Sequence, residues 1–147
     1  MRGPSGPDEP SALIGIVVRR YRCTRCRAVT VVVPQELRAR RLYSAAAIGL
    51  ALALWGLMGA TSAEVRRRIS PIARIGETAA MGWASLRRWA RAVAAQRLVA
   101  SAPRAGPGAT LRQVAASAAE ALAAHADSTT RGLSSAERAF FGSARAV

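Results

Sequence analysis

Apolar positions change their rhythm along this chain. From Ala12 to Arg20 (ALIGIVVRR) and from Ala28 to Val33 (AVTVVV) they form short β-branched runs, which predict two strands. Tyr21 to Arg27 (YRCTRCR) reads as the tight turn between them, and Pro34 ends the second strand. The product is a β-hairpin with Cys23 and Cys26 at its tip. Leu42 to Ala63 then runs for 22 residues without a charge. Ile48, Leu52, Trp55 and Gly59 lie on one helical stripe, and Leu50, Leu54 and Leu57 on another. A helix apolar on nearly every side is buried in protein or in a bilayer.

Three capping-box spacings mark helix starts further on, each pairing a hydroxyl with a Glu or Gln three residues later. Thr61-x-x-Glu64 predicts a short helix from Ala63 to Ile69. Pro71 and Gly76 punctuate the turn after it, and a longer helix is expected from roughly Thr78 to Val99. Ser101 to Gly108 (SAPRAGPG) reads as a linker. Thr110-x-x-Gln113 opens an Ala-rich helix to about Ala126, and Ser134-x-x-Glu137 opens a last helix carrying Phe140 and Phe141. No internal repeat is visible. The expected division is a disordered lead-in at 1–11, a hairpin at 12–34, a helical unit at 35–100, a linker at 101–109 and a helical appendage at 110–147. That appendage either packs back or mediates self-association.

The helix beginning near Trp83 has two unlike faces. At 100° per residue, Trp83, Leu86, Trp89, Ala90 and Val93 gather on one side, and Arg87, Arg88 and Arg91 on another, with Ala84 and Ser85 beside them. One face packs and the other is cationic, as in a recognition helix that carries Arg into the major groove. The preceding helix holds Arg66, Arg67 and Arg68, candidate phosphate contacts. Arg38, Arg40 and Arg41 precede the uncharged stretch and could add more. The expected core is a helix from Ser44 to Met58 packed by Val65, Ile69, Trp83, Leu86, Trp89 and Val93.

Charge strengthens this picture. The chain has 22 basic and 8 acidic residues in 147, a net charge of +14. Such a surface attracts polyanions, either nucleic acid or an acidic membrane face. Every basic side chain but the single His is Arg, which suits bidentate contact with phosphates and guanine edges. A GC-rich genome accounts for the missing Lys but not for the excess of base over acid. The acids Asp8, Glu9, Glu36, Glu64, Glu77, Glu120, Asp127 and Glu137 are scattered singly. No nucleophile–base pair and no Gly-rich phosphate loop is present, so no enzymatic activity is expected. Met1 to Pro10 lacks a basic segment leading into an apolar run, so no signal peptide is read and the default setting is cytoplasmic.

Cys23-x-x-Cys26 has the spacing of a zinc knuckle, but a closed structural site takes four ligands. The only His, His125, lies far along the chain in an Ala-rich helix. Zinc is therefore expected only if a second ligand pair is supplied.

Taken together, VRRYRCTRCRAVTVVVPQ, RRLYSAAAIGLALALWGL, AEVRRRISP and GWASLRRWARAV resemble the N-terminal part of bacterial insertion-sequence transposases. There a zinc-ribbon hairpin leads into a helix-turn-helix. The likeness is nearest to an uncharacterised family from high-GC bacteria associated with mobile elements, and it covers about Val17 to Val99. It implies a mostly α fold: an N-terminal half zinc ribbon, a three-helix helix-turn-helix unit and a C-terminal helical appendage. Cys23 and Cys26 match the second half of the ribbon, whose first Cys pair would lie upstream of Met1. Ser85, Leu86, Arg88 and Trp89 match the recognition helix. Arg27 stands where such knuckles usually have Gly, a strained choice if the turn needs positive φ. The spaced carboxylates that hold two Mg²⁺ ions for transposition chemistry are missing. The implied role is a non-catalytic, nucleoid-associated protein of a mobile element, binding double-stranded DNA, with a homodimer left open. The alternative is a small membrane protein spanning at about 42–63, an option weakened by its many Ala and Gly residues and by the capping box that cuts the span short.

Overall fold

Ser44 starts the first helix, α1 (Ala45–Gly56), by accepting a hydrogen bond from the Ala47 N–H at 3.0 Å. Ala45 and the run from Ala47 to Ala53 are buried, so α1 has no solvent face along most of its length. Small side chains make that possible. Gly56 meets the Ala116 backbone, and Gly49 meets Ser143 and the Ala139 carbonyl. Two later helices, α4 (Leu111–Ala124) and α5 (Ser135–Ser143), thereby close on α1 and on each other. Gly142 lies against the Leu122 carbonyl, which completes the three-way contact.

The computed structural model describes residues 1–32, 42–73, 75–76 and 82–146. It is mostly helical, with small antiparallel β-hairpins at the N-terminus followed by five helices. The hairpin's closing residues Val33 and Pro34, the cluster Arg38, Arg40 and Arg41, and the expected helix start at Thr78 all lie outside the described residues.

Between α1 and α4 come α2 (Ser62–Ile69) and α3 (Ala84–Ala94). All three expected capping boxes form, at Thr61/Glu64, Thr110/Gln113 and Ser134/Glu137. One continuous core takes in Leu50 and Leu52 of α1, Val65 and Ile69 of α2, Leu86, Trp89 and Val93 of α3, and Val114, Leu122 and Phe140 beyond the linker. The C-terminal helices therefore pack back onto α1, and α4 also onto α3. Tyr43, Trp83 and Trp89 meet edge to face, with ring centroids 4.9–5.6 Å apart. Such pairs each contribute about 0.5–1.5 kcal/mol beyond their burial.

Two elements depart from the sequence pattern. The run Ala12 to Arg20 does not form one strand. Its start belongs to β2 (Ser11–Leu13) and its end to β3 (Arg19–Arg22). The reason is the partner. Arg2–Pro4 forms β1, inside the stretch read as a disordered lead-in, and pairs with β2, while β3 pairs with β4 (Val29–Val32). Strand β1 is also tied to the residues before α1: the Arg2 N–H donates to the Leu42 carbonyl at 2.8 Å, and the Ser44 N–H to the Arg2 carbonyl at 3.2 Å. Gly3, at φ 137°, lets the strand lie directly on Ala47.

Helix α3 ends at Ala94 rather than near Val99. Gln96 adopts φ 54°, and its side-chain amide donates to the Ala102 carbonyl at 3.1 Å, so the chain turns without Gly or Pro. Leu98 and Val99, expected on the helix, are instead buried beyond the turn.

The 22-residue uncharged stretch is divided by the turn after α1. At about 1.5 Å per residue, the 12 residues of α1 extend about 18 Å, against a hydrocarbon core of about 30 Å. Among the described residues no helix is long and apolar enough to cross a membrane.

Candidate nucleic-acid interface

Trp83 precedes α3 without offering a side-chain cap, and the helix then alternates buried and cationic positions. Leu86, Trp89, Ala90, Ala92 and Val93 are buried, while Arg87, Arg88 and Arg91 are exposed. Ser85 is half-buried in the first turn. Spacings of three and four residues put the three guanidinium groups on one face. Helix α4 packs on α3, and Arg87, Arg88 and Arg91 stay exposed.

Helix α2 presents its arginines in its last turn, after Glu64 and Thr61 have closed its start. The Glu64 carboxylate accepts from both the Thr61 hydroxyl and the Thr61 N–H at 2.7 Å. These bonds, the hydroxyl first, hold the Glu64 carboxyl below the usual carboxylate range, and the charge of Arg67 adds a smaller push in the same direction. Arg67 is exposed, and Arg66 and Arg68 are half-buried. Arg68 donates to the Pro7 carbonyl at 2.6 Å and to the Asp8 carboxylate at 3.1 Å, so this side chain also pins the N-terminal loop.

Two hollows border these residues. A groove of about 520 Å³ runs between Pro10 and Ser11 on one side and Arg66, Arg67, Arg68 and Pro71 on the other. A smaller cleft, about 250 Å³, brings Arg66 together with Ser85 and Arg88 of α3. Arg66 of α2 and Arg88 of α3 thus line one cleft, and Arg66 borders both hollows. Among their described lining residues there is no carboxylate.

Arg2 also lines the cleft, and sequence reasoning missed it. Its guanidinium carbon stands 5.9 Å from the centre of the Tyr43 ring, a cation–π contact. Tyr43 in turn donates to the Ser70 hydroxyl at 3.2 Å. Nothing local in the sequence marks Arg2, because its position depends on β1 pairing with residues some forty places along the chain.

The cysteine pair lies elsewhere, at the tip of the exposed β3–β4 hairpin. The Cys26 N–H approaches the Cys23 Sγ at 3.5 Å, and the Arg27 N–H donates to the Cys23 carbonyl at 3.0 Å. Arg27 takes φ 63°, the left-handed conformation that the sequence flags as strained at this position. Hydrogen bonds to Cys23, from the Cys26 backbone first and then from the Cys26 side chain and the Arg25 backbone, hold its thiol below the usual range. The turn suits two ligands of a tetrahedral zinc. Among the described residues no third His, Cys, Asp or Glu joins them. His125 sits at the C-terminal end of α4, where it caps the helix through its backbone.

Comparison with protein-family models, curated proteins and solved structures finds no match.

Proposed function

We propose that this chain binds double-stranded DNA through α3, with the arginines of α2 holding the backbone beside it. The observation that carries this reading is the cleft lined by Arg66, Ser85 and Arg88, with Arg67 exposed on α2 and Arg87 and Arg91 exposed on α3, while Leu86, Trp89 and Val93 of α3 are locked into the core. Arg87 and Arg91 serve as base or groove contacts, Arg66 and Arg67 as phosphate contacts, and Arg88 stands between the two sets at the cleft. Arg68 divides its hydrogen-bonding capacity between the N-terminal loop and the groove.

In this reading α2 and α3 take the places of the two helices of a helix-turn-helix, with a much longer connection. The tight motif joins its helices by about three to four residues, whereas here Ser70 to Trp83 intervene. Helix α3 is seated on α1 and α4, so its aim depends on the whole helical body. In this reading the protein is a non-catalytic, nucleoid-associated relative of transposase DNA-binding regions, with zinc entering at Cys23 and Cys26 only if another pair of ligands is supplied. The membrane alternative lacks the continuous helix over 42–63 that it requires.

Titration of duplex DNA at several salt concentrations tests the reading. Affinity should fall steeply with salt, by a slope of about 0.9 per phosphate neutralised. An Arg87/Arg88/Arg91→Ala variant should bind more weakly and with a shallower slope. Absent or salt-independent binding by the wild type would sink it.

A further inference from the structure

Resting on the DNA-binding reading, we propose that the cleft walled by Arg2, Arg66 and Arg88 is a clamp for one phosphate group, with Arg2 as a ligand-contacting residue. Three separate parts of the chain converge there: the N-terminal strand, the last turn of α2 and the first half of α3. Each contributes one arginine to the lining. Ser85 and Ser70 add hydroxyl groups, and Tyr43 and Trp83 form apolar walls. Arginine forks match the oxygens of a phosphate in pairs, and three arginines lining one hollow, with no carboxylate among its described lining residues, favour a dense anion.

Size narrows the class of ligand. At about 250 Å³ the cleft is smaller than the roughly 300 Å³ at which pockets begin to enclose drug-sized molecules. A phosphate fits that space, and so does one phosphodiester of a backbone passing over the rim. Arg2 is positioned in advance, because backbone hydrogen bonds to Leu42 and Ser44 anchor its strand and the Tyr43 ring supports its side chain. Less side-chain freedom is then lost on binding. The clamp also links phosphate contact to the seating of the N-terminal strand on α1.

The same chemistry comes from a DNA backbone or from free phosphate, and two arms separate them. In the first, duplex binding is measured against salt for wild type, Arg2→Ala, Arg88→Ala and the double variant. If both arginines serve one phosphate, the double variant loses about 0.9 of slope in total, not twice that. Arg2→Lys, which keeps the charge, retains the slope. A full slope in Arg2→Ala, losses that add to two phosphates, or a loss in Arg2→Lys equal to that in Arg2→Ala each overturns the clamp while leaving the DNA reading intact. In the second arm, inorganic phosphate is titrated while the Trp83 indole N–H is followed by NMR. If the wild type binds no duplex, the DNA reading fails. The clamp then stands on phosphate-induced shifts at Trp83 that vanish in Arg2→Ala, and falls if phosphate causes none.

Discussion

Helix α1 and strand β4 of the β3–β4 hairpin are both rich in apolar side chains, yet they end in opposite environments. Leu52 is fully buried, whereas Val31 is 48% exposed and Val17, just before the hairpin, 93% exposed. Every residue of β3 and β4 is exposed, on both faces. The difference lies in partners. Glycine and alanine along α1 let α4 and α5 approach its backbone, and α2, α3 and β1 cover what remains. Among the described residues the hairpin's two strands pair with each other and with no further strand, and such an isolated unit is marginal in water. Apolar content sets how much surface is available to bury; the shape of the neighbours decides whether it is buried.

The largest expected effect follows directly. Leu52→Ala should cost about 2–5 kcal/mol, the usual range when a buried Leu leaves a cavity. Val31→Ala should change stability by no more than about 0.5 kcal/mol, as exposed substitutions do. Urea denaturation reads both as shifts in midpoint at constant m-value. A Val31→Ala loss comparable to that at Leu52 would break the contrast, because it would mean that the hairpin is packed in solution, against another molecule or a second copy.

Legibility in the sequence divides along the same line. The helical body was readable because its signals are local. The uncharged stretch, the Ser44 start, the three capping boxes and the split faces of α3 depend on residues three or four apart, and each appears as an element or a cap. So do the core positions Val65, Ile69, Leu86, Trp89 and Val93. What escaped depends on distant pairing. A lone Gly-Pro-rich stretch gives no hint that Arg2 will lie beside Tyr43, and without β1 neither the division of the Ala12 to Arg20 run nor the third wall of the cleft can be inferred. The end of α3 escaped for another reason. Gln96 turns the chain in a conformation that Gly normally marks, so no stop signal was present.

A middle-sized effect separates the two regions dynamically. Left-handed backbone costs a non-Gly residue on the order of 1–2 kcal/mol. Arg27→Gly should remove that strain and tighten the hairpin tip. The reporter is exchange of the Cys23 N–H, which donates to the Ala28 carbonyl at 2.8 Å. Its protection should rise about tenfold for roughly 1.4 kcal/mol of local stabilisation. The unfolding midpoint of the body should stay where it is, since the hairpin opens alone. A midpoint that rises along with the protection would show the two regions unfolding as one unit.

The smallest effect is a difference in how the regions sense pH. In the body, hydrogen bonds from Thr61 to Glu64 and from Ser134 to Glu137 lower both carboxyl pKa values, the bond from the capping hydroxyl contributing most. Groups lowered in the folded state stabilise it fully above their unfolded pKa, and that contribution is lost as pH falls through the folded value. Acid should therefore loosen α2 and α5 at their starts. Helix α4 makes the same capping box with the uncharged Gln113, so its start lacks this sensitivity. Glu64→Gln with Glu137→Gln should copy that arrangement, leaving stability at neutral pH nearly unchanged and flattening the fall of the thermal midpoint below the glutamate range. The hairpin's lowered group is the Cys23 thiol, whose thiolate forms on the alkaline side, so the same double variant should leave the pH profile of Cys23 alkylation untouched. If acid sensitivity persists undiminished in the double variant, the caps are not its source.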